Sequence, residues 1–252
     1  MDLQLSGTRV LVTGGTRGIG RAIVEGFLDE GAHVGFCARD AQEVGATLAA
    51  LRDRGVLTGA TVDVGDAEAL AGWVEESAAT LGGLDVVVAN VSALAIPDTE
   101  ENWQASLNVD LMHTVRLVRA AMPHLERSET ASIIAVSSVS GRESDFASGP
   151  YGTAKTAIIG YVHGLALQLA GQGIRANTVS PGNTYFEGGV WASIETGDPD
   201  LFRTAVGLNP TGHMGTPEEV AGPVVFLASP RSRRISGTNL VVDGALTRGI
   251  QL

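Results

Sequence analysis

Short apolar runs rich in β-branched residues alternate along the chain with longer segments in which apolar residues recur at the period of a helix. The runs predict strands, and "LDVVVAN" and "ASIIAVSS" are apolar almost throughout, as is typical of strands buried on both faces. We therefore expect an α/β fold in which a doubly wound parallel sheet lies between two layers of helices. The predicted strands span 9–13, 33–38, 57–63, 84–90, 132–137, 174–180 and 239–242. The predicted helices span 19–30, 41–54, 67–81, 103–125, 151–170 and 217–227.

One long stretch, from Pro181 to Gly215, departs from this alternation. It is rich in Gly, Pro and aromatic residues and has no clear periodicity, as is typical of a loop that covers a binding site. No repeat, low-complexity tract or linker interrupts the remaining sequence. We therefore predict a single domain over residues 1–252 with a substrate loop at about 183–215.

Composition narrows the function classes. The 252 residues are 44% hydrophobic, which is enough for a large core, and the formal net charge of −11 argues against binding nucleic acid or anionic lipid. The single cysteine, Cys37, lies in a predicted strand and is expected to be a buried, inert thiol. His113, His163 and His213 show no metal-ligand spacing, so we assign no metal. We see no signal peptide and no apolar stretch of membrane-spanning length, so a cytoplasmic protein is expected.

The stretch "VLVTGGTRGIGRAIVEGFLDEGA" combines a strand, a glycine-rich turn and a helix. Glycines at 14, 18 and 20 let the backbone turn sharply and approach a ligand closely, and the free N–H groups of the helix start attract a phosphate. Placed after the first strand, this turn predicts a dinucleotide site and a Rossmann-type sheet. The alternative is a tight β-α connection without a ligand.

The second strand ends in "VGFCARD", where an NAD-selective site usually has a carboxylate for the ribose 2′-hydroxyl. Ala38 occupies that position and Arg39 follows it, and Arg17 in the glycine turn can reach the same group. Two arginines suit a 2′-phosphate, so NADP(H) is the preferred cofactor and NAD(H) the alternative. Asp40 would reverse this preference if the register were shifted by two residues, although it also fits the N-cap of the next helix.

The segment "GPYGTAK" sets Tyr151 and Lys155 four residues apart, so a helix starting here would bring both side chains to one face. An ordinary helix start, with the aromatic ring inward and the lysine in water, would give the same pattern. Together with "TGGTRGIG", however, "YGTAK" makes the chain similar to the short-chain dehydrogenase/reductase family. The resemblance spans nearly the whole length, through "SSVSG", "SPGN", "GTPEEVAGPVVFLAS" and "SGTNLVVDGA".

The resemblance implies four catalytic residues. Tyr151 would be the general acid in ketone reduction and the base in alcohol oxidation; a free phenol has a pKa of about 10, and the cation of Lys155 would favour the phenolate. Ser138, thirteen positions before the tyrosine, would bind the carbonyl oxygen, with Ser140 as a weaker rival. Asn108 would help hold a water beside the lysine. The small neighbours of the tyrosine, Gly152 and Ala154, are expected to leave room for cofactor and substrate.

The resemblance also implies a set of cofactor contacts, in which Asp63 would meet the adenine amino group. "ANVS" replaces the usual Asn-Asn-Ala-Gly, so the nicotinamide ribose contact would depend on Asn90 and backbone carbonyls. The family often has a threonine at the place of Phe186, and Thr184 is carried over in its stead. The predicted cofactor-binding residues are Gly14, Thr16, Arg17, Gly18, Ile19, Arg39, Asp63, Val64, Asn90, Tyr151, Lys155, Pro181, Gly182 and Thr184.

The predicted substrate pocket is apolar and aromatic, formed by Leu94, Phe146, Tyr185, Phe186 and Trp191. We therefore expect an NADP(H)-dependent oxidoreductase that interconverts an apolar or bulky ketone and its secondary alcohol. The alternatives are a 3-oxoacyl-thioester reductase acting on acyl carrier protein, and a non-catalytic NADP(H)-binding sensor or scaffold. The family further implies a homotetramer.

Overall fold

The structure is a computed structural model that describes residues 1–250; positions 251 and 252 of the predicted domain lie outside the described residues. The strands are β1 (Arg9–Thr13), β2 (His33–Ala38), β3 (Leu57–Thr61), β4 (Val86–Ala89), β5 (Ser132–Val136), β6 (Arg175–Pro181) and β7 (Asn239–Val242). They form one parallel sheet in the order β3-β2-β1-β4-β5-β6-β7. The strand order reverses between β1 and β4, which is the switch point at which α/β folds bind ligands.

Helices cover both faces of the sheet, so the predicted single-domain, three-layer fold is confirmed. The helices are α1 (Gly18–Asp29), α2 (Ala41–Leu51), α3 (Ala67–Leu81), α4 (Glu100–Ala105), α5 (His113–Leu125), α6 (Pro150–Leu169), α7 (Val190–Gly197), α8 (Pro199–Leu208) and α9 (Pro217–Ala228). Because successive strand residues face opposite ways, Val10 and Val12 join the core under α1 and α9, whereas Leu11 joins the core under α3, α5 and α6.

The helix predicted over 103–125 is not continuous. A π turn at Ser106–Met112 separates α4 from α5, and the N–H of His113 bonds the carbonyl of Asn108, five residues earlier. The His113 ring also bonds the Val109 carbonyl through Nδ1, at 2.8 Å. One extra residue in a turn barely disturbs the apolar period, so the sequence pattern does not reveal it.

The aperiodic stretch predicted as a loop contains two short helices, α7 and α8. Asp198 caps α8 by accepting from the N–H of Leu201, and Pro199 begins it, a start signal that is readable in the sequence. Trp191, Ala205 and Met214 form a small core of their own between these helices and the rest of the segment. Within residues 1–250, no helix is long and apolar enough to cross a membrane.

Candidate active site

A cavity of about 450 Å³ opens along the carboxyl ends of the strands. Parallel strands all end at this edge, so residues distant in the chain meet there. The cavity extends from Ala38 and Arg39 beyond β2, past Asn90 beyond β4, to Tyr151 on α6. The other predicted residues that line it are Gly14, Thr16, Arg17, Ile19, Val64, Leu94, Ser138, Phe146, Lys155, Pro181, Gly182, Thr184, Phe186 and Trp191.

The glycine turn forms one wall in the conformation that a phosphate cradle requires. Gly14 and Gly18 have φ values of +71° and +51°, in the left-handed region that favours glycine. A Cβ on Gly20 would lie 2.0 Å from the Gly14 carbonyl oxygen, so the turn closes only without a side chain there. Arg17 stands at the N-cap of α1 without a side-chain cap bond, which leaves the N–H groups of the first turn available to an anion.

The predicted 2′-phosphate end of the cavity carries both signs of charge. Arg39 is exposed at its mouth, and Arg17 donates to the Gly188 carbonyl at 3.2 Å. Thr16 donates to a carboxylate oxygen of Glu43 at 2.7 Å, so an acid lines the cavity together with the two arginines. Asp40 accepts from the N–H groups of Gln42 and Glu43, so it is the N-cap of α2. Ala38, without a carboxylate, ends β2.

Lys155 and Tyr151 share one face of α6, as their spacing predicts. The lysine side chain is only 2% exposed, and its Nζ donates to the Val136 carbonyl of β5 at 3.1 Å. That ammonium lies 5.6 Å from the centroid of the Tyr151 ring, and the ring itself is half-buried at the cavity wall. Nζ also lies 3.2 Å from a carboxylate oxygen of Asp110, which is fully buried.

Ser138 follows β5 and caps the short turn Val139–Gly141, where its hydroxyl oxygen accepts from the Ser140 N–H at 3.1 Å. This turn packs directly on α6, because a Cβ on Gly152 would lie 2.8 Å from the Ser140 carbonyl oxygen. The expectation that Gly152 leaves room for ligands is therefore wrong, since its space is filled by the backbone that carries the serine. Ala154 is fully buried in the core, so it leaves no ligand space either.

Two of the predicted site residues, Asn108 and Asp63, do not line the cavity. The Asn108 amide donates to the Gly65 carbonyl at 3.2 Å, and its oxygen accepts from Arg116 at 2.7 Å, so the side chain is turned from Lys155 towards the loop after β3. Asp63, in the same loop, is exposed and accepts from the Gly65 N–H at 2.8 Å. The Asn108 side chain is thus bonded to the loop after β3 and to Arg116, and the part of Asn108 in holding a water beside the lysine stays a prediction.

The substrate end of the cavity is largely apolar. Phe146 and Trp191 meet edge to face at 5.9 Å, and Leu94 is held at a φ of +49°, which is strained for a leucine. The Phe186 ring packs on Gly18, where a Cβ would lie only 2.5 Å from it, so this side chain belongs to the glycine turn as much as to the substrate pocket. Tyr185 does not line this cavity: its hydroxyl donates to Glu195 at 2.6 Å and its ring packs on Phe202.

The cavity also contains residues outside the predicted catalytic, cofactor-binding and substrate-pocket sets. Asp145 accepts from the Ser140 hydroxyl at 2.6 Å and from the Ala147 N–H at 2.8 Å. Arg142, Glu143 and Asp145 are charged residues of one loop that could all give polar recognition, but such residues are usually just solvated. The sequence therefore does not single out Asp145. Glu43 could have been found as the residue one turn into the helix that Asp40 starts. Ser92, Ile96 and Ile194 also line the cavity, as does Ser140, the weaker rival of Ser138.

Among residues 1–250, no group of three or more His, Cys, Asp or Glu side chains is arranged to hold a metal ion. Cys37 is buried in β2, and desolvation raises the pKa of its thiol to about 12, which keeps it protonated and unreactive. The titratable chemistry that faces the cavity therefore comes from phenol, ammonium, guanidinium and carboxylate groups.

Known proteins resemble this chain over almost its full length. A family model described as Enoyl-(Acyl carrier protein) reductase matches residues 14–247. Isoepoxydon dehydrogenase from Penicillium expansum is 41% identical and covers 98% of this chain and 97% of its own. Dehydrogenase/reductase SDR family member 4 from Sus scrofa is 34% identical, over 93% of this chain and 85% of its own.

Solved structures give the same result. An NADPH-bound short-chain oxidoreductase from Pseudomonas aeruginosa, described as containing an atypical catalytic center, superimposes with a TM-score of 0.90 at 32% identity and covers 98% of this chain and 99% of its own. L-Sorbose reductase from Gluconobacter frateurii, complexed with NADPH and L-sorbose, has a TM-score of 0.90 at 26% identity and covers 99% of this chain and 100% of its own.

Proposed function

The chain belongs to the short-chain dehydrogenase/reductase family, and from that membership we propose that it is an NADP(H)-dependent oxidoreductase interconverting a ketone and a secondary alcohol. Membership of this family makes the chain a dehydrogenase/reductase that acts on alcohol or ketone substrates. The observation that carries the finer proposal is the buried ammonium of Lys155, 5.6 Å from the Tyr151 ring at the cavity wall.

The residues of the cavity fit a nicotinamide dinucleotide. The glycine turn is too tight to admit a Cβ at Gly20, and the first turn of α1 has N–H groups available to a phosphate. Two arginines line the end of the cavity where a 2′-phosphate would lie. Arg17 and Arg39 would hold the 2′-phosphate, Gly14 to Ile19 the pyrophosphate, and Asn90 and Lys155 the nicotinamide ribose. When bound, the dinucleotide carries the hydride that is exchanged with the substrate carbon.

The proton is handled by the chain itself. In ketone reduction, the Tyr151 phenol donates its proton to the carbonyl oxygen as charge develops there, and in alcohol oxidation the phenolate takes it back. The Ser138 hydroxyl donates a hydrogen bond to the same oxygen. The Lys155 ammonium stabilises the phenolate through a poorly solvated site, where a positive charge acts strongly.

Replacement of the phenol tests this chemistry. Tyr151→Phe is expected to lower kcat by about 10²- to 10⁴-fold, because general acid–base catalysis contributes that much. The matched control is Tyr161→Phe, since Tyr161 is also half-buried on α6 but packs against the core away from the cavity. Cofactor oxidation with a panel of ketones is the assay. NADPH binding without any turnover in the wild type would contradict the proposal and favour the non-catalytic sensor.

Cofactor preference is tested at Arg39. Because the guanidinium would pair with the 2′-phosphate, Arg39→Ala is expected to raise the Michaelis constant for NADPH about tenfold, as for a lost charge-assisted hydrogen bond, with that for NADH unchanged. Arg52→Ala is the control, since this exposed arginine pairs with its neighbour Asp53 and does not line the cavity. NAD(H) remains the alternative because of the Glu43 carboxylate, and an unchanged Michaelis constant for NADPH in Arg39→Ala would favour it.

We propose an uncharged substrate, bounded by Leu94, Phe146 and Trp191 and facing the Asp145 carboxylate. Isoepoxydon, after which a relative is named, is the first compound to test. The description of the matching family model favours a second candidate, an acyl-carrier-protein thioester. The net charge of −11 opposes docking of an acidic carrier. Turnover of 3-oxoacyl thioesters in preference to simple ketones would establish that candidate instead.

The homotetramer and the cytoplasmic location remain predictions. By family analogy, α5 and α6 would form one subunit interface. Light scattering should then give four times the mass of the chain, whereas the mass of a monomer would contradict the assembly.

A further inference from the structure

A fully buried carboxylate faces the lysine of the proposed catalytic pair. Asp110 lies in the π turn with a side chain that is 0% exposed, and one of its oxygens is 3.2 Å from Lys155 Nζ. The contact is within ion-pair distance but is not aligned as a hydrogen bond. Its second oxygen accepts from the Ala93 N–H at 3.2 Å. The carboxylate therefore touches the catalytic lysine on one side and the substrate wall on the other.

We infer that Asp110 is a positioning residue that keeps Lys155 charged and fixed beneath Tyr151, and thereby sets the pH range over which the enzyme works. This inference rests on the proposed function, because it gives Asp110 a role only through the lysine and the phenol.

Burial makes this partner necessary. A lysine that loses its hydration tends to lose its proton unless an opposite charge accompanies it. The hydrogen-bond partner of Lys155 is the neutral Val136 carbonyl, and Asp110 is the carboxylate within ion-pair distance among the described residues. The charge that would orient the phenol therefore depends on the π turn.

The other titratable groups nearby do not replace Asp110. On α5, desolvation lowers the pKa of His113 to about 4, so its ring is neutral in the working range. Arg116, also on α5, pairs with Asn108, and its positive charge disfavours a second cation nearby. Asp145, ahead of α6, is exposed and bonded to Ser140, while Tyr151 lies one turn away on α6 itself. Of these, Asp110 alone combines negative charge with contact and burial.

The same carboxylate also holds the loop after β4. Asp110 accepts from the N–H of Ala93, and the next residue along the chain is Leu94. The Leu94 N–H donates to the Ser92 hydroxyl oxygen at 3.0 Å, and Leu94 has a φ of +49°. A leucine stays in this strained region only where its surroundings hold it. Asp110 thus links the lysine to the backbone that forms the substrate wall, where this chain reads "ANVS".

The test is Asp110→Asn, which preserves size and an acceptor for Ala93 but removes the charge. Removing the negative charge makes it easier for the lysine, or for the phenol, to lose its proton. Ketone reduction needs both protons, so either change shifts the basic limb of the pH profile in the same direction. The basic limb of kcat should move to lower pH by about one unit or more, with the ketone KM within about threefold of wild type.

Asp85→Asn is the matched control, because Asp85 is also a buried aspartate in an ion pair, with Arg9. This pair lies at the amino ends of β1 and β4, at the end of the strands away from the cavity. Asp85→Asn should lower the melting temperature and leave the pH limb in place. Asp110→Glu, which retains the charge, should keep the wild-type limb, and Asp110→Ser repeats the neutral test if the Asn variant does not fold. A profile in Asp110→Asn that is merely scaled down, or a limb that moves equally in Asp110→Glu, would overturn the inference.

Failure of the inference is separable from failure of the proposed function. If the wild type reduces ketones and Tyr151→Phe does not, an unmoved limb in Asp110→Asn rejects the role of Asp110 alone. If the wild type binds NADPH but turns over no carbonyl compound, the proposed function is wrong and the role of Asp110 is rejected with it.

Discussion

At the scale of single residues, Asp145 gives the substrate end of the cavity a charge that its apolar walls lack. Both carboxylate oxygens are bonded, to the Ser140 hydroxyl and the Ala147 N–H, so the side chain is fixed near Ser138 and Tyr151. A fixed negative charge repels an anionic substrate and accepts a hydrogen bond from a hydroxylated one. Substrate choice within the reaction class is therefore expected to depend on this residue.

Asp145→Asn is expected to raise kcat/KM for a carboxylate-bearing ketone about five- to tenfold, because an exposed charge interaction is worth roughly 1 kcal/mol. The methyl ester of the same ketone should change little. The gain should shrink at high salt, where exposed charges are screened. Initial rates at two salt concentrations measure this, with Glu143→Gln as control because Glu143 is exposed on the same loop outside the cavity lining. Equal gains for acid and ester would mean a steric effect instead.

Residue positions were more predictable from the sequence than side-chain directions. The spacing of Ser138, Tyr151 and Lys155 was enough to bring them to one cavity, because strand ends and helix faces fix where a backbone position lies. Asn108 and Tyr185 lie outside the cavity lining, and their side chains bond the Gly65 carbonyl and the Glu195 carboxylate instead. Only the fold brings these partners close, so the sequence pattern cannot reveal them.

At the scale of elements, the site depends on how closely the turn Val139–Gly141 lies against α6. Gly152→Ala would bring a Cβ to 2.8 Å from the Ser140 carbonyl oxygen and 3.0 Å from the Ala147 carbonyl oxygen. Both are backbone atoms, so the turn must shift and take Ser138 with it. We expect a loss of about 1–3 kcal/mol in stability, as for an overpacked site, and about a tenfold or greater fall in kcat from misplacement.

Gly160→Ala on the same helix is the control for this prediction. A Cβ there meets nothing within 4 Å, so helix propensity alone should stabilise the protein by about 0.5–1 kcal/mol. Urea unfolding and steady-state rates measure the two variants together. Wild-type kcat in Gly152→Ala would mean that the turn can move without displacing the serine.

The elements themselves were predicted in proportion to their periodicity. All seven strands and most helices lie where the apolar pattern puts them, and their ends agree with the predicted ones to within three residues. The π turn at Ser106–Met112 escaped because it changes the hydrogen-bond register without changing the apolar face. The helices α7 and α8 escaped because they are short and half-exposed, and pack on a small core of their own.

At the scale of the whole molecule, buried ionisable groups decide how stability depends on pH. His113 joins α5 to β1 beneath the cavity, with Nε2 bonded to the Thr13 hydroxyl at 3.0 Å. Its Nδ1 faces the Val109 carbonyl at 2.8 Å, so the neutral ring is a donor at Nδ1 and an acceptor at Nε2. The neighbouring ion pair of Lys155 and Asp110 shares this buried region. Protonation of Nε2 would break the bond to Thr13, and so disturb the contact of the His113 ring on α5 with β1 and the π turn.

Desolvation lowers the pKa of His113 to about 4 from the ordinary 6.5, so below pH 6.5 the unfolded chain binds a proton that the folded protein does not. Stability should therefore fall as the pH drops, by about 2 kcal/mol between pH 7 and 5. The pKa values of Asp85 and Glu25 are lowered in the fold, so these carboxylates lose their stabilising effect only as the pH falls below their ordinary pKa values. Their pH window therefore lies below that of His113. Urea unfolding at both pH values should show the loss in wild type and not in His113→Gln, whatever the variant's overall stability. An equal loss in the variant would mean that other groups bind the proton and that the His113 ring accepts one readily in the fold.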